Sequence, residues 1–239
     1  MALTNFSSGN RPGGRMIPVY AVDEDLCNAE LVLALSKAAA ACGETVLMLD
    51  QMGGRLMRKA GIVVGATLVD VLSGTAQMSD AKYVNNNEHF TAICSGGADL
   101  DTMLGSLAAL SLSYDWVFIG ASAGCTPAHV RLAAAADASL LMYHADGDKF
   151  MRAYWMLDTV RSRVPKFDPL MIAKIAANGD EADGFESYEL LTDSVRQFLG
   201  AAPALGGILE SPEMAAELAP VLLEALRQGS AEQKRALAG

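Results

Sequence analysis

The sequence has no apolar run of about 18 residues, the length that a membrane-spanning helix needs, although 51% of its 239 residues are hydrophobic. That absence argues against a transmembrane segment. Residues 1–15 are polar and glycine-rich, and they lack the apolar stretch of a secretory signal. We therefore expect a flexible lead over residues 1–15, a cytoplasmic protein and no stable insertion into a membrane.

Positive charge is also scarce. The chain has 18 Lys and Arg residues against 28 Asp and Glu residues, which gives a net charge of −10. Nonspecific binding of nucleic acid needs a basic surface, so we expect no nucleic-acid partner. Arg55, Arg58 and Lys59 lie close together in sequence, but a solvated helix or loop face accounts for them better than a basic binding patch.

Metal-binding residue types are few and poorly spaced. The four cysteines form no C-x-x-C pair and the three histidines have no ligand spacing; these residues are Cys27, Cys42, Cys94, Cys125, His89, His129 and His144. In a cytosolic chain such cysteines are reduced, and we expect most of them to be buried. The sequence predicts no metal site.

Short apolar runs, by contrast, alternate with helical patterns along the whole chain. The predicted strands are Ile17–Val22, Thr45–Leu49, Thr91–Cys94, Trp116–Ile119, Ser139–Tyr143 and Leu170–Ala177. The predicted helices are Ala29–Cys42, Leu68–Ser73, Asp101–Leu112, Pro127–Ala136, Phe150–Arg163, Gly184–Leu199 and Pro212–Arg227, the last kinked or split at Pro220.

This alternation predicts an α/β fold: a doubly wound, mostly parallel sheet with helices on both faces. We place one domain at residues 16–210 and a C-terminal helical tail at residues 211–239. Ligands of such sheets bind beyond the carboxyl ends of the strands. The segments to examine there are Ala21–Asp25, Asp50–Gly54, Ser95–Asp99, Gly120–Gly124 and His144–Asp148.

Four motifs at or near these strand ends resemble the MinD/ParA/FlhG group of deviant Walker ATPases. They are GETVLMLD (Gly43–Asp50), TLVDVLSGTAQMSDA (Thr67–Ala81), ICSGGADLD (Ile93–Asp101) and YDWVFIGASAG (Tyr114–Gly124). The resemblance runs from about Ile17 to Gly200 and implies a P-loop NTPase fold of the SIMIBI type. HADGDKFMRAYWMLDTVRS (His144–Ser162) and GFESYELLTDSVRQFLG (Gly184–Gly200) are most similar to the FlhG/FleN flagellar-number regulators.

The phosphate-binding loop that this resemblance implies has lost its chemistry. When Ile17–Glu30 is aligned with the family's loop, the glycine positions fall on Val22, Glu24, Asp25 and Cys27, the lysine positions on Asp23 and Asn28, and the magnesium-binding hydroxyl on Ala29. A phosphate loop needs glycine to turn its N–H groups inward and lysine to neutralise the anion. Each carboxylate at about 4 Å from a phosphate costs about 4 kcal/mol at an effective dielectric constant near 20.

The other functional positions of the family have changed too. Asp50 is kept, but the catalytic aspartate falls on Met52 and the Walker B aspartate, which supports magnesium, falls on Gly120. We therefore expect no catalytic residues, no cofactor and no ATPase activity. The alternative is a nucleotide-binding ATPase with an altered site built from Asp50 and the new carboxylates.

The acidic run Asp23–Asp25 has two interpretations of its own. Its oxygens could bind a divalent cation near Asp50. We favour an exposed acidic turn in which Asp25 or Asn28 caps the following helix, since carboxylates stabilise a helix N-terminus.

These features predict a noncatalytic, MinD/ParA-like pseudo-ATPase that binds protein partners and positions or regulates a polar assembly, first of all a flagellum. A pilus-localising role like that of TadZ/CpaE is an alternative, and recruitment to a cell pole and homodimer formation are left open. Methionine adapts well to partner surfaces, and the candidate interface is Met52, Arg55, Met57 and Arg58, with a wider rim of Met48, Met78 and Met103.

Overall fold

The computed structural model describes residues 14–86 and 88–238. Within these residues, eight strands form one sheet: β1 (Arg15–Ala21), β2 (Val46–Gln51), β3 (Tyr83–Asn85), β4 (Phe90–Cys94), β5 (Trp116–Ala123), β6 (Leu140–His144), β7 (Leu170–Lys174) and β8 (Leu205–Leu209). Residues 1–13 of the predicted lead lie outside the described part of the chain.

The strand order is β3-β4-β2-β5-β1-β6-β7-β8. Strand β3 pairs antiparallel with β4, and the other strand pairs of the described chain are parallel. The middle strands are buried along almost their whole length because helices cover both faces, which is why their sequences are continuous apolar runs. The predicted fold class is confirmed.

Nine helices are present in the same residues: α1 (Asn28–Ala41), α2 (Arg55–Lys59), α3 (Leu68–Leu72), α4 (Met78–Ala81), α5 (Leu100–Ser111), α6 (Pro127–Ala135), α7 (Phe150–Arg161), α8 (Glu181–Phe198) and α9 (Ala215–Ala238). Helices α5 to α8 contact one another in succession, whereas α1 contacts α9. Right-handed crossovers place α5–α8 on one face of the sheet and α1 with α9 on the other.

Helix α9 packs on the body of the protein. Its residues Ala215, Ala219, Leu222, Leu223 and Leu226 are buried in the same core as the sheet. The division of the chain into a domain and a tail at residue 210 stays a prediction. No helix among the described residues is long and apolar enough to cross a membrane.

Pro220 does not split this helix, which continues from Ala215 to Ala238. A proline lacks the N–H that would bond the carbonyl four residues earlier, here that of Ala216. Ala216 is exposed, so water can satisfy its carbonyl, and the prediction of a split is wrong.

The cysteines are all free, as predicted, but only Cys27 and Cys94 are buried. Burial raises the pKa of both thiols, so both stay neutral at neutral pH. Cys42 follows the last turn of α1 and Cys125 follows β5, and both are exposed. The prediction of mostly buried thiols is wrong for these two residues.

Candidate functional site

The carboxyl ends of the central strands bring the predicted site positions to one edge of the sheet. Asp50 on β2 lies opposite Gly120 on β5 in the strand register, and Ala21 at the end of β1 lies opposite Met142 on β6. The turn at residues 22–27 leaves β1 between β5 and β6. It therefore lies where open parallel sheets bind their ligands.

The backbone of this turn is arranged for cations. None of residues 22–27, all of them described, has a positive φ angle. The Arg55 guanidinium, on α2, donates to the carbonyl oxygens of Glu24 and Leu26, the second over 2.6 Å. A phosphate loop instead turns its N–H donors inward. The turn thus offers Arg55 acceptors at a place where a triphosphate needs donors.

Two side chains of the turn, Asp23 and Asp25, are bonded to side chains of other elements as well. Arg152, on α7, forms an ion pair with Asp23. His144 Nε2, at the end of β6, lies 2.8 Å from Asp25 Oδ1, and this hydrogen bond holds the pKa of Asp25 below its usual range. The acidic turn is therefore held to the protein by residues from three different elements.

No side chain caps helix α1. Cys27 occupies the N-cap position without a side-chain hydrogen bond. The prediction that Asp25 or Asn28 caps this helix is wrong, because Asp25 contacts His144 and Asn28 Nδ2 donates to Ala121 O over 3.0 Å.

Two of the aligned loop positions are enclosed in the core. Asn28, at a lysine position, is 1% exposed, and its Oδ1 has no hydrogen-bond partner among the described residues. Ala29, at the hydroxyl position, is fully buried and has no oxygen for magnesium. Neither side chain supplies the charge or the metal ligand that the family's loop provides.

The side chain of Asp50 accepts hydrogen bonds from the backbone of the segment that follows it. It is fully buried, and its Oδ1 accepts the Met52 N–H over 2.6 Å while its Oδ2 accepts the Met57 N–H over 3.0 Å. Gly53 and Gly54, with φ angles of 64° and 81°, make the tight turn that returns the chain to this carboxylate. Asp50 thereby fixes the start of α2, and it does not join the acidic turn as the predicted cation site required.

Met52 and Gly120, where the family carries two aspartates, pack against each other. A Cβ atom on Gly120 would lie 2.8 Å from Met52 Sδ and 3.1 Å from Leu56 Cδ2. Real Cβ contacts are essentially never shorter than 3.0 Å, so the half-buried Met52 side chain would have to shift before position 120 could carry a side chain. The thioether therefore lies against Gly120 at the strand-exit edge.

Ser122 and His129 form a second polar pair at this edge, of the residue types found in nucleophilic active sites. Ser122 Oγ lies 3.3 Å from His129 Nε2, while His129 Nδ1 accepts the Thr126 N–H over 3.0 Å. Because Nδ1 accepts, neutral His129 carries its proton on Nε2 and donates to Ser122. It cannot also take a proton from that serine, so this pair is not a nucleophile with its base.

The candidate interface changes in the structure. Met57 is fully buried, as are Met48 and Met103, so these side chains cannot contact a partner and the prediction is wrong for them. Met48 lies on β2, Met57 on α2 and Met103 on α5, and all three side chains belong to the common hydrophobic core. Arg55 is committed to the acidic turn, which leaves Arg58 as the exposed member.

Arg55, Arg58 and Lys59 lie on a helix face, which agrees with the favoured interpretation of these residues as a solvated face and not a basic binding patch. Lys59 Nζ lies 2.6 Å from Glu30 Oε1, and Arg55 bonds the carbonyls of the turn. Two of the three cations thus pair with the acidic turn and helix α1, although Lys59 is still half exposed, and Arg58 is exposed as well. This agrees with the expectation of no nucleic-acid partner, which stays a prediction.

Sequence reasoning missed two residues of the site. Arg152 lies in the first turn of an amphipathic helix, where an arginine gives no signal of a site. His144 lay within a strand exit chosen for examination, but its lack of a ligand spacing hid its role. Only the register of β1 with β6 brings His144 to Asp25.

No protein-family model matches this sequence, and no curated protein matches it either. Solved structures do match. The cell division ATPase MinD of Pyrococcus furiosus is 17% identical, with 90% of this chain and 99% of that chain covered and a TM-score of 0.69. MinD in the MinC:MinD cell division protein complex of Aquifex aeolicus is 16% identical, with coverages of 95% and 96% and a TM-score of 0.67.

An enzyme shares the same architecture. Cobyrinic acid a,c-diamide synthase from Mycobacterium smegmatis, with bound ADP and magnesium, is 17% identical, with coverages of 90% and 96% and a TM-score of 0.63. The chain thus has the P-loop NTPase fold of the MinD/ParA type, as its motifs predict. At these identities the likeness defines the fold and leaves the activity open.

Proposed function

We propose that this chain is a noncatalytic interaction protein of the MinD/ParA fold that neither binds nor hydrolyses ATP at its former nucleotide site. In this role it binds protein partners and positions or regulates a polar assembly, in the first place a flagellum. The contact between Met52 and Gly120 carries the proposal, because one apolar side chain lies where two carboxylates would have to hold magnesium and water.

The electrostatics of the turn support the same conclusion. Asp23, Glu24 and Asp25 replace the glycines and lysine that bind a phosphate, and the nearby cations Arg55 and Arg152 already bond this turn. An incoming triphosphate would have to break these contacts and then face the freed carboxylates. Each unscreened like-charge contact adds about 4 kcal/mol at an effective dielectric constant near 20.

The positioning role is supported by the fold and by the sequence motifs. Two proteins of the same architecture are named for cell division, one of them in a complex with MinC. His144–Ser162 and Gly184–Gly200 resemble the flagellar-number branch of the group. A partner reached through the strand-exit edge would meet Met52, which is half-buried, and the exposed Arg58.

Thermal denaturation with nucleotide tests the loss of the site. A ligand that binds the native state with a Kd one hundredfold below its concentration stabilises it by about 2.7 kcal/mol. For a chain of this size that corresponds to a rise in Tm of about 5–10 °C. We expect no rise with millimolar ATP or ADP plus magnesium beyond that seen with magnesium alone, and no release of phosphate.

The magnesium-only arm separates nucleotide binding from an effect of the cation. A nucleotide-dependent rise in Tm would overturn the proposal, and a larger rise in Met52→Ala would show that the nucleotide enters beside Gly120. Phosphate release by the purified chain would overturn it as well.

A second candidate function is a nucleotide-binding ATPase with an altered site. The shared architecture with a synthase that holds ADP and magnesium favours it. In that case nucleotide should raise Tm, and Asp50→Asn should abolish the rise. The noncatalytic proposal predicts that Asp50→Asn lowers Tm equally with and without nucleotide, because the Asp50 carboxylate accepts the N–H groups of Met52 and Met57 and thereby holds the turn into α2.

A further inference from the structure

Three metal-ligating side chains meet at the edge of the acidic turn. One ligand atom each from Asp23, Asp25 and His144 lies within 4.8 Å of the other two. His144 and Asp23 are mostly enclosed, with 15% and 17% of their side chains exposed, whereas 76% of Asp25 is exposed. The group thus combines two sheltered donors with one that faces solvent.

The sheet explains why these residues converge. Ala21 and Met142 are partners in the parallel pairing of β1 with β6. Asp23 and His144 each lie two residues beyond that pair: His144 is the last residue of β6, and Asp23 lies in the turn directly after β1. The strand pairing thus brings the start of the turn beside His144, whose own position is fixed by a core strand.

We propose that Asp23, Asp25 and His144 bind a divalent first-row transition-metal ion, of which Zn²⁺ is the best match. Zinc takes imidazole nitrogen and carboxylate oxygen at about 2.0–2.2 Å, and sites with three protein ligands leave a position for water. Donor atoms around a tetrahedral ion of that size lie about 3.4 Å apart, so small side-chain rotations suffice. The proposal departs from the expectation of no metal site, because the sequence spacing did not show that His144 joins the turn.

The charges of the site favour a metal over a nucleotide. Magnesium prefers an all-oxygen set, whereas a set with imidazole suits zinc. Arg152 now neutralises Asp23, and 56% of its side chain is exposed, so it can move into water when a metal takes its place. The guanidinium and the metal therefore compete for one carboxylate.

Calorimetric titration of the full, tag-free chain with Zn²⁺ in the absence of nucleotide tests this site. Cys42→Ser and Cys125→Ser in every variant remove the two exposed thiols, which are zinc ligands in their own right. We expect one zinc ion per chain, an affinity that falls as the pH is lowered because zinc needs neutral imidazole, and a loss of at least about tenfold for Asp25→Asn and His144→Ala.

Two further variants make the result specific. Arg152→Gln should tighten binding, since it removes the competing cation, whereas a site elsewhere would not respond. His89→Asn is the control: this exposed histidine lies outside the group, and asparagine tolerates its φ angle of 58°. It should leave the affinity unchanged.

Absence of zinc binding, or binding that Asp25→Asn and His144→Ala do not weaken, would overturn the proposal. Asp25 is mostly exposed, so its substitution should not prevent folding, and unchanged circular dichroism would verify this. Because no nucleotide is present, failure here leaves the loss of ATP binding untouched, and a nucleotide-dependent rise in Tm leaves this site untouched.

Discussion

The contact between Met52 and Gly120 predicts a strong energetic coupling between the two positions. In Gly120→Ala the new methyl group lies 2.8 Å from Met52 Sδ and 3.1 Å from Leu56 Cδ2. Forcing one extra carbon into a packed core costs about 1–3 kcal/mol, and because the half-buried Met52 side chain can shift, we expect Gly120→Ala to lower the free energy of unfolding by about 1 kcal/mol.

Removing the sulfur should relieve most of this cost. In a Met52→Ala background, the same Gly120→Ala change should cost about 0.5 kcal/mol at most, since two of the three nearest atoms belong to the Met52 side chain and the other is Leu56 Cδ2. The difference is a coupling energy of about 0.5–1 kcal/mol, within the range for residues in contact. Urea denaturation of the wild type, both single variants and the double variant measures it.

Gly105→Ala is the matched control. Gly105 lies within α5, and a Cβ there meets no atom within 4 Å. Alanine in a helix interior should stabilise the protein by about 0.5–1 kcal/mol, the opposite sign to Gly120→Ala. If Gly120→Ala costs the same with and without the Met52 sulfur, then Met52 does not fill the former site and the reasoning is refuted.

Three further changes have measurable outcomes. Arg55→Ala removes both bonds to the turn carbonyls, so the amides of residues 22–27 should exchange hydrogen faster while those of β2 do not. The Thr45 backbone N–H bonds the Asp115 carboxylate and holds its pKa below the ordinary value of 3.8. This bond therefore stabilises the protein above pH 3.8, and its contribution is lost as the pH falls through the folded-state pKa. In Asp115→Asn that acid-dependent loss of stability should be smaller, as measured by urea denaturation below about pH 4. Leu222→Ala empties a fully buried position in α9 and should cost about 2–5 kcal/mol in one cooperative transition, whereas a separate early transition would mean that α9 unfolds by itself.

The sequence predicted those strands and helices whose own residues form a recognisable apolar pattern. Strands β1, β2 and β5 are continuous apolar runs, and the helices between them carry long apolar faces. Strand β3 has only three residues and β8 reads LGGIL, so neither offers such a run. The two glycines of β8 matter through α9: a Cβ on Gly207 would lie 2.5 Å from Leu218 Cδ1. Close packing of a helix on an edge strand is a tertiary effect that no local pattern reveals.

The candidate site also has features that the sequence could predict and features that depend on tertiary contacts. Alignment of motifs located Asp50 and Gly120, because the strands that carry them are apolar runs, and Met52, because it follows β2 directly. It could not show that Met52 contacts Gly120, since that contact joins the turn after β2 to β5, 68 residues further along the chain. The role of His144 depends likewise on the pairing of β1 with β6.

The packing at position 120 also restricts how this protein can evolve. A mutation that returned an aspartate at Gly120 would meet the thioether of Met52, and one that returned an aspartate at Met52 would leave an empty space beside a glycine. Under the proposed function, a working nucleotide site would thus need changes at both positions and in the turn at residues 22–27 together. No single substitution reaches that state, so the packing at position 120 separates this chain from its nucleotide-binding relatives in fold by several simultaneous steps.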